Sequence, residues 1–431
     1  MLLCLALHIG AVWGGALFGP KPQRWDPVPQ HLAPFQTGDV SKRRGGGHGP
    51  PLNIDLSVWG RGQTELQWYG DITVGMPPRK FKLIFDTGAG MMLIADKNCT
   101  TCGSHTRYDA ALSSTYSPLP GWKTLVAFGS QGGGTSGSSE LQSANCTVVT
   151  DAVGMAGRSV ASEFLVCDGY SSGLRIQDPD GLFGMPSTPP GNWFLANGSA
   201  PEYKHIYWHL VETGQIPGPE FAFSLVSDRP GRAGVLTLGG TDRSQYVPAT
   251  LRTIPLNWPL SESRARWVVD VRGARVVVGS GSTPALLTNS SDAVTLVDTG
   301  GSTIVTPDRN TTRELYGRMS DQIQPLDDFG SWGAPCDLLD RVARDVTFTL
   351  GSADRSVDVV VKKKYLNVGE FAGRPGICQG VYTDPERAAR EPINGRPAWI
   401  FGSPLLRSYY TVWDGVDRTL GFATPAHRDL S

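Results

Sequence analysis

Two acidic residues sit in matching company: Asp86 within Ile84-Phe85-Asp86-Thr87-Gly88 and Asp298 within Leu296-Val297-Asp298-Thr299-Gly300. Either copy alone reads as a turn aspartate at the end of a strand. Two copies in like settings point to a duplicated half-domain that delivers two carboxylates to a shared centre. Held side by side in a partly buried site, two carboxylates repel when both are charged, so one pKa rises, the other stays low, and the pair shares a proton. Such a pair is an acid and a base at once. The ionised member can draw a proton from a water that attacks a carbonyl carbon, while the protonated member donates to the developing oxyanion. This chemistry requires no metal, cofactor or nucleophilic side chain, and none is expected.

The elements that must position the pair are also marked. Roughly a hundred residues after each aspartate comes an apolar-apolar-Gly element, Leu182-Phe183-Gly184 and Ile400-Phe401-Gly402, the first opened by Asp180-Gly181. Apolar-Asp-Thr-Gly reads as a buried strand running into a turn, where glycine permits a bend and a close approach that a Cβ would obstruct. Short apolar stretches between Gly, Asn, Asp and Ser clusters, in a chain with 53 Gly and 32 Pro, predict many short strands and a mostly β class. At 431 residues a single core would divide in two. A net charge of -1 with 18% charged residues favours neither nucleic acid nor an acidic polymer nor an anionic membrane as partner. His-Glu-x-x-His and Gly-x-Ser-x-Gly are both absent, which argues against a zinc hydrolase or a serine triad.

The chain resembles the pepsin-like aspartic endopeptidases, of a secreted, fungal type. The resemblance rests on both Asp-Thr-Gly motifs, both apolar-apolar-Gly elements and the ending Trp399-Ile400-Phe401-Gly402-Ser403-Pro404-Leu405-Leu406-Arg407-Ser408-Tyr409-Tyr410-Thr411-Val412-Trp413-Asp414. It runs from about Gln67 to Thr424 and takes in, in order, Phe221-Ala222-Phe223-Ser224-Leu225, Gly234-Val235-Leu236-Thr237-Leu238-Gly239-Gly240 and Trp267-Val268-Val269-Asp270-Val271. It implies a bilobal β fold with a cleft between lobes over residues 45–240 and 241–431, extended polypeptide substrates cut between apolar residues, and a monomer. Asp86 and Asp298 would be catalytic, Thr87 and Thr299 would cross-link the two loops, and Gly88 and Gly300 would leave room for substrate. Phe128, Gly129 and Ser130 fall at the place of the family's flap.

The compartment follows from the ends and the cysteines. Residues 1–19 have a short apolar core and small residues near a cleavage point, as in a signal peptide, though without a basic n-region; a buried N-terminal strand is the alternative. Residues 20–44, ending in Lys42-Arg43-Arg44, read as a short propeptide or else as a solvated linker. With Cys4 removed, the six cysteines Cys99, Cys102, Cys146, Cys167, Cys336 and Cys378 suit disulfides. Cys99-x-x-Cys102 could also be half a metal or redox motif, but no second such pair accompanies it. The resemblance implies Cys99 with Cys102 and Cys336 with Cys378, which leaves Cys146 with Cys167. Sequons at Asn98, Asn145, Asn197, Asn289 and Asn310 would accept glycans at the surface of an exported protein. No stretch near the C-terminus reads as a membrane anchor, so a soluble protein is expected outside the cell, or alternatively in a vacuole.

The chain also departs from the family. A Ser or Thr usually follows Asp-Thr-Gly and bonds the adjacent carboxylate, whereas this chain has Ala89 and Gly301. Losing bonds to the ionised form predicts an upward pKa shift and a less acidic optimum. Phe128 replaces the flap tyrosine, and Leu93 stands where its tryptophan partner would be, a paired loss that leaves no buried donor stranded. The Gly/Ser-rich residues 132–139 are flexible by composition or an ordinary surface loop, and residues 187–201 form an insertion of unassigned role. A pepsin-fold binding protein without activity is the rival reading; retention of both aspartates argues against it.

Overall fold

The computed structural model describes residues 49–61, 64–127, 143–171, 178–189, 205–226, 233–276, 285–288, 292–385 and 393–427, all within a compact unit spanning Gln36–Ser431. The expected leader and propeptide, Phe128–Ser130, residues 132–139, most of the 187–201 insertion, Asn197 and Asn289 lie outside the described residues.

The first half is built from β1 (Leu52–Arg61), β2 (Thr64–Val74), β3 (Arg79–Asp86), β4 (Met92–Ala95), β5 (Ser117–Ala127), β6 (Ser143–Met155), β7 (Arg158–Tyr170) and β8 (Gly181–Gly184). β3 alternates exposed and buried residues at its start and then buries Leu83, Ile84, Phe85 and Asp86 without a break. The loss of alternation has a cause. β8 inserts in parallel beside β3, with Leu83 opposite Gly181 and Asp86 opposite Gly184, and β4 returns antiparallel on the far side of β8. The inserted strand makes β3 an interior strand of its sheet, and its last four residues are buried on both faces.

The second half repeats this arrangement. Strand Ala293–Val297 pairs in parallel with Ala398–Phe401, placing Val297 opposite Phe401, and Ile304–Val305 runs back antiparallel along Phe401 and Ile400. The glycines that close the two apolar-apolar-Gly elements are sterically required. A Cβ on Gly184 would overlap the backbone of Ala89 and Met91, and one on Gly402 that of Gly301 and Thr303.

One sheet runs through both halves. From β1 it continues through Gly234–Leu238 and Glu220–Ser224 to Tyr410–Asp414, Thr419–Ala423 and Arg252–Pro255. Its aromatic filling brings Phe221, Trp267 and Trp413 together, with ring centroids 5.2 to 5.9 Å apart. Three disulfides, Cys99–Cys102, Cys146–Cys167 and Cys336–Cys378, staple the periphery. Asn98, Asn145 and Asn310 are exposed. Among the described residues no helix is long and apolar enough to cross a membrane.

Candidate active site

Asp86 and Asp298 leave the ends of equivalent strands and meet. Both are buried, at 8% and 4% exposure, and each carboxyl lies against the glycine of the other's turn. Two carboxyls buried this closely disfavour double ionisation. Each aspartate also accepts from its own turn: Gly88 N–H donates to Asp86 Oδ1 at 2.7 Å and Gly300 N–H to Asp298 Oδ1 at 2.9 Å.

The two threonines lock the turns together in a near-symmetric exchange. Thr87 N–H donates to Thr299 Oγ1 and Thr299 N–H to Thr87 Oγ1, both at 3.0 Å. Each hydroxyl then donates across the centre, Thr87 to the Val297 carbonyl at 2.9 Å and Thr299 to the Phe85 carbonyl at 2.6 Å. All four bonds are buried and join residues more than two hundred positions apart, so the carboxylates are held by a preorganised frame. The adjoining glycines are as constrained. A Cβ on Gly88 would lie 2.5 Å from the Asp298 carboxyl carbon, and one on Gly300 would overlap the Asp86 carboxyl.

Asp86 is held well above the ordinary carboxylate range. Burial is the largest cause, followed by the charge of Asp298; the Gly88 N–H and the Arg266 guanidinium act in the opposite direction. Neither position after the glycines offers a hydroxyl. Ala89 is half-buried, and at buried Gly301 a Cβ would stand 3.5 Å from Asp298 Oδ2 with a tight 3.3 Å contact to the Gly402 Cα. Leu93 is buried, at 2% exposure. Phe128, Gly129 and Ser130 lie outside the described residues, so the expected flap contact has no geometry here.

Five residues around the centre stand outside the two aspartate motifs. Gln67 is buried, and its Nε2 donates to the Gly300 carbonyl at 2.7 Å, tying β2 to the second aspartate turn. Trp267 bridges the halves: its indole N–H donates to the Met185 carbonyl at 2.7 Å, and its carbonyl accepts from Val297 N–H at 2.9 Å. Met185 in turn donates to the Asp86 carbonyl at 2.7 Å, and Arg266 sits immediately before the tryptophan. His205, 1% exposed, caps helix Ile206–Glu212 through Nδ1, which accepts from Tyr207 N–H at 3.2 Å. Its ring packs edge-on to Phe183, in the strand inserted beside β3. Burial pushes the imidazole down to about 3.

A buried carboxyl pair fixed by backbone donors and crossed hydroxyls can share a proton and so perform acid–base hydrolysis at a carbonyl. Comparison with known proteins agrees. The family model for eukaryotic aspartyl protease matches residues 67–425. The chain is 27% identical over 365 residues to probable vacuolar protease A of Arthroderma benhamiae, covering 83% of this chain and 78% of that protein. It is 26% identical to pepsin F of Oryctolagus cuniculus over 84% and 82% of the two chains, and 25% identical to cathepsin E of Mus musculus over 83% and 80%. The chain therefore belongs to the eukaryotic aspartyl protease family and is an aspartic endopeptidase by class.

Proposed function

We propose that Asp86 and Asp298 are the catalytic pair of an exported endopeptidase that cuts extended polypeptides lodged between lobes formed by residues 45–240 and 241–431. The observation that carries this reading is the meeting of two buried carboxyls, each accepting from a matched glycine N–H and each lying against the other's turn. The ionised carboxyl takes a proton from water, the resulting hydroxide equivalent adds to the peptide carbon, and the neutral carboxyl donates to the carbonyl oxygen. Collapse of the tetrahedral adduct expels the amine, which takes its proton from the dyad. Thr87 and Thr299 hold the geometry, and Gly88 and Gly300 admit the substrate backbone.

Apolar residues at the cut suit loops that offer Thr, Gly and Ala at positions 87–89 and 299–301 and no ion-pairing group. The three disulfides support synthesis in an oxidising compartment, with removal of residues 1–19 and then cleavage after Lys42-Arg43-Arg44 to release a soluble monomer outside the cell or in a vacuole. The raised Asp86 and the absence of hydroxyls at Ala89 and Gly301 support a less acidic optimum than a dyad with both hydroxyls would have.

The test is digestion of an unstructured polypeptide across a pH series by the processed protein, its Asp298→Ala variant, and the protein with an inhibitor mimicking the tetrahedral intermediate. Cleavage abolished by both interventions is expected. A folded, processed protein that cuts at no pH would instead be a pepsin-fold binding protein.

A further inference from the structure

Across strands β5, β6 and β7 lies a shallow groove of about 390 Å³ lined by Lys123, Thr124, Leu125, Asn145, Thr147 and Asp168, among others. We infer that this groove is the seat of the first sugars of an N-linked glycan carried by Asn145 itself. The inference rests on the export reading above.

Three features of the strands place the sugar there. Asn145-Cys146-Thr147 is a sequon, and the register sets both of its polar residues against groove residues of the neighbouring strand: Leu125 is directly opposite Asn145 and Lys123 directly opposite Thr147. Directly opposed residues project to the same face. Leu125 is 59% exposed, one of the few large apolar side chains so exposed among the described residues, and nothing described covers it. On its other flank Asn145 faces Gly169 of β7, where a Cβ would stand 3.5 Å from Asn145 Nδ2. The next residue along, Cys146, is bonded to its cross-strand partner Cys167, which pins the backbone that aims Asn145.

The chemistry of an N-acetylglucosamine core matches this lining. Its acetyl methyl and the apolar face of its ring cover Leu125, and its hydroxyls and amide meet Lys123 and Asp168. In the modification the Nδ2–C1 bond forms, the bond from C1 to a lipid-pyrophosphate donor breaks, the pyrophosphate leaves with the electron pair, and the amide loses one proton. The outcome is a clamp: sugars anchored on β6 and lying over β5 join the two strands from outside. Asn98, an exposed turn residue whose N–H is bonded to Asp96, has no place in this groove and serves as the control.

The test uses the full chain secreted from a eukaryotic host and held with an active-site inhibitor. Glycopeptide masses report occupancy, and hydrogen exchange is followed over residues 123–126 and 143–149 in wild type, Asn145→Gln, Thr147→Ala, Asn98→Gln and enzymatically deglycosylated wild type. A glycan on Asn145 is expected, with exchange in both strands about threefold faster once it is gone, by either substitution or by the enzyme, and unchanged in Asn98→Gln. Leu125→Ser, with the glycan retained, should also speed exchange over residues 143–149. An unmodified Asn145 beside a modified Asn98, or equal exchange with and without the Asn145 glycan, overturns the inference alone; sequons all unmodified would overturn the export reading with it.

Discussion

Acid should weaken this protein through a histidine that takes no part in the chemistry. His205 is buried behind the Asp86 strand, and burial lowers its pKa from 6.5 to about 3. In the unfolded chain the ring charges as pH falls through 6.5; in the folded protein it stays neutral down to about 3. Its contribution to stability is therefore complete above pH 6.5 and drains away as pH falls towards 3. At about 1.36 kcal/mol per pH unit, roughly 3 kcal/mol is lost between pH 7 and pH 4. His205→Asn removes the titration while keeping a helix-capping side chain, at a cost of about 1–2 kcal/mol at pH 7 for the smaller side chain in a buried site. The two stability curves should then cross. Urea unfolding in an Asp298→Ala background, which prevents self-digestion, would show wild type the more stable at pH 7 and the variant the more stable at pH 4. A gap constant to within about 0.5 kcal/mol from pH 7 to pH 4 would refute the linkage argument.

Two further perturbations address the site itself. Gly301→Ser puts a hydroxyl within reach of Asp298 Oδ2, and a charge-assisted bond of about 1.4 kcal/mol to the ionised form moves the pH profile of kcat/KM down by about one unit; an unmoved or alkaline-shifted profile would mean that the missing hydroxyl does not set the optimum. Gly300→Ala forces a methyl onto the Asp86 carboxyl, so kcat should fall about a hundredfold or more while thermal unfolding stays close to wild type; near-normal turnover would show that the carboxyl can shift without loss.

Much of this was legible in the chain because the duplicated pieces are local. Leu83–Asp86 and Ala293–Val297 are interior strands buried along their length, and that environment writes a mostly apolar run into the sequence before each aspartate. The glycines of the two apolar-apolar-Gly elements are equally readable, since each must pass backbone at van der Waals contact. What stayed hidden depends on contacts between distant segments. Gln67 reaches Gly300 across 233 positions, and Trp267 binds Met185 and Val297 at once, so neither has a spacing to betray it. His205 follows Glu202 and Lys204 and would pass for a surface cap until its burial against Phe183 is seen. The joining of Tyr410–Asp414 to Glu220–Ser224 is likewise set by packing of aromatic residues from three segments, which no local pattern records.

The most direct test of the shared-proton dyad is the pH dependence of kcat/KM for one peptide substrate, measured for wild type and for Asp86→Asn. A bell in the wild type, with one limb for loss of the single negative charge and one for loss of the single proton, and no measurable turnover at any pH in the variant, is the predicted result. Substantial hydrolysis by Asp86→Asn, or a wild-type profile governed by a single ionisation, would contradict it.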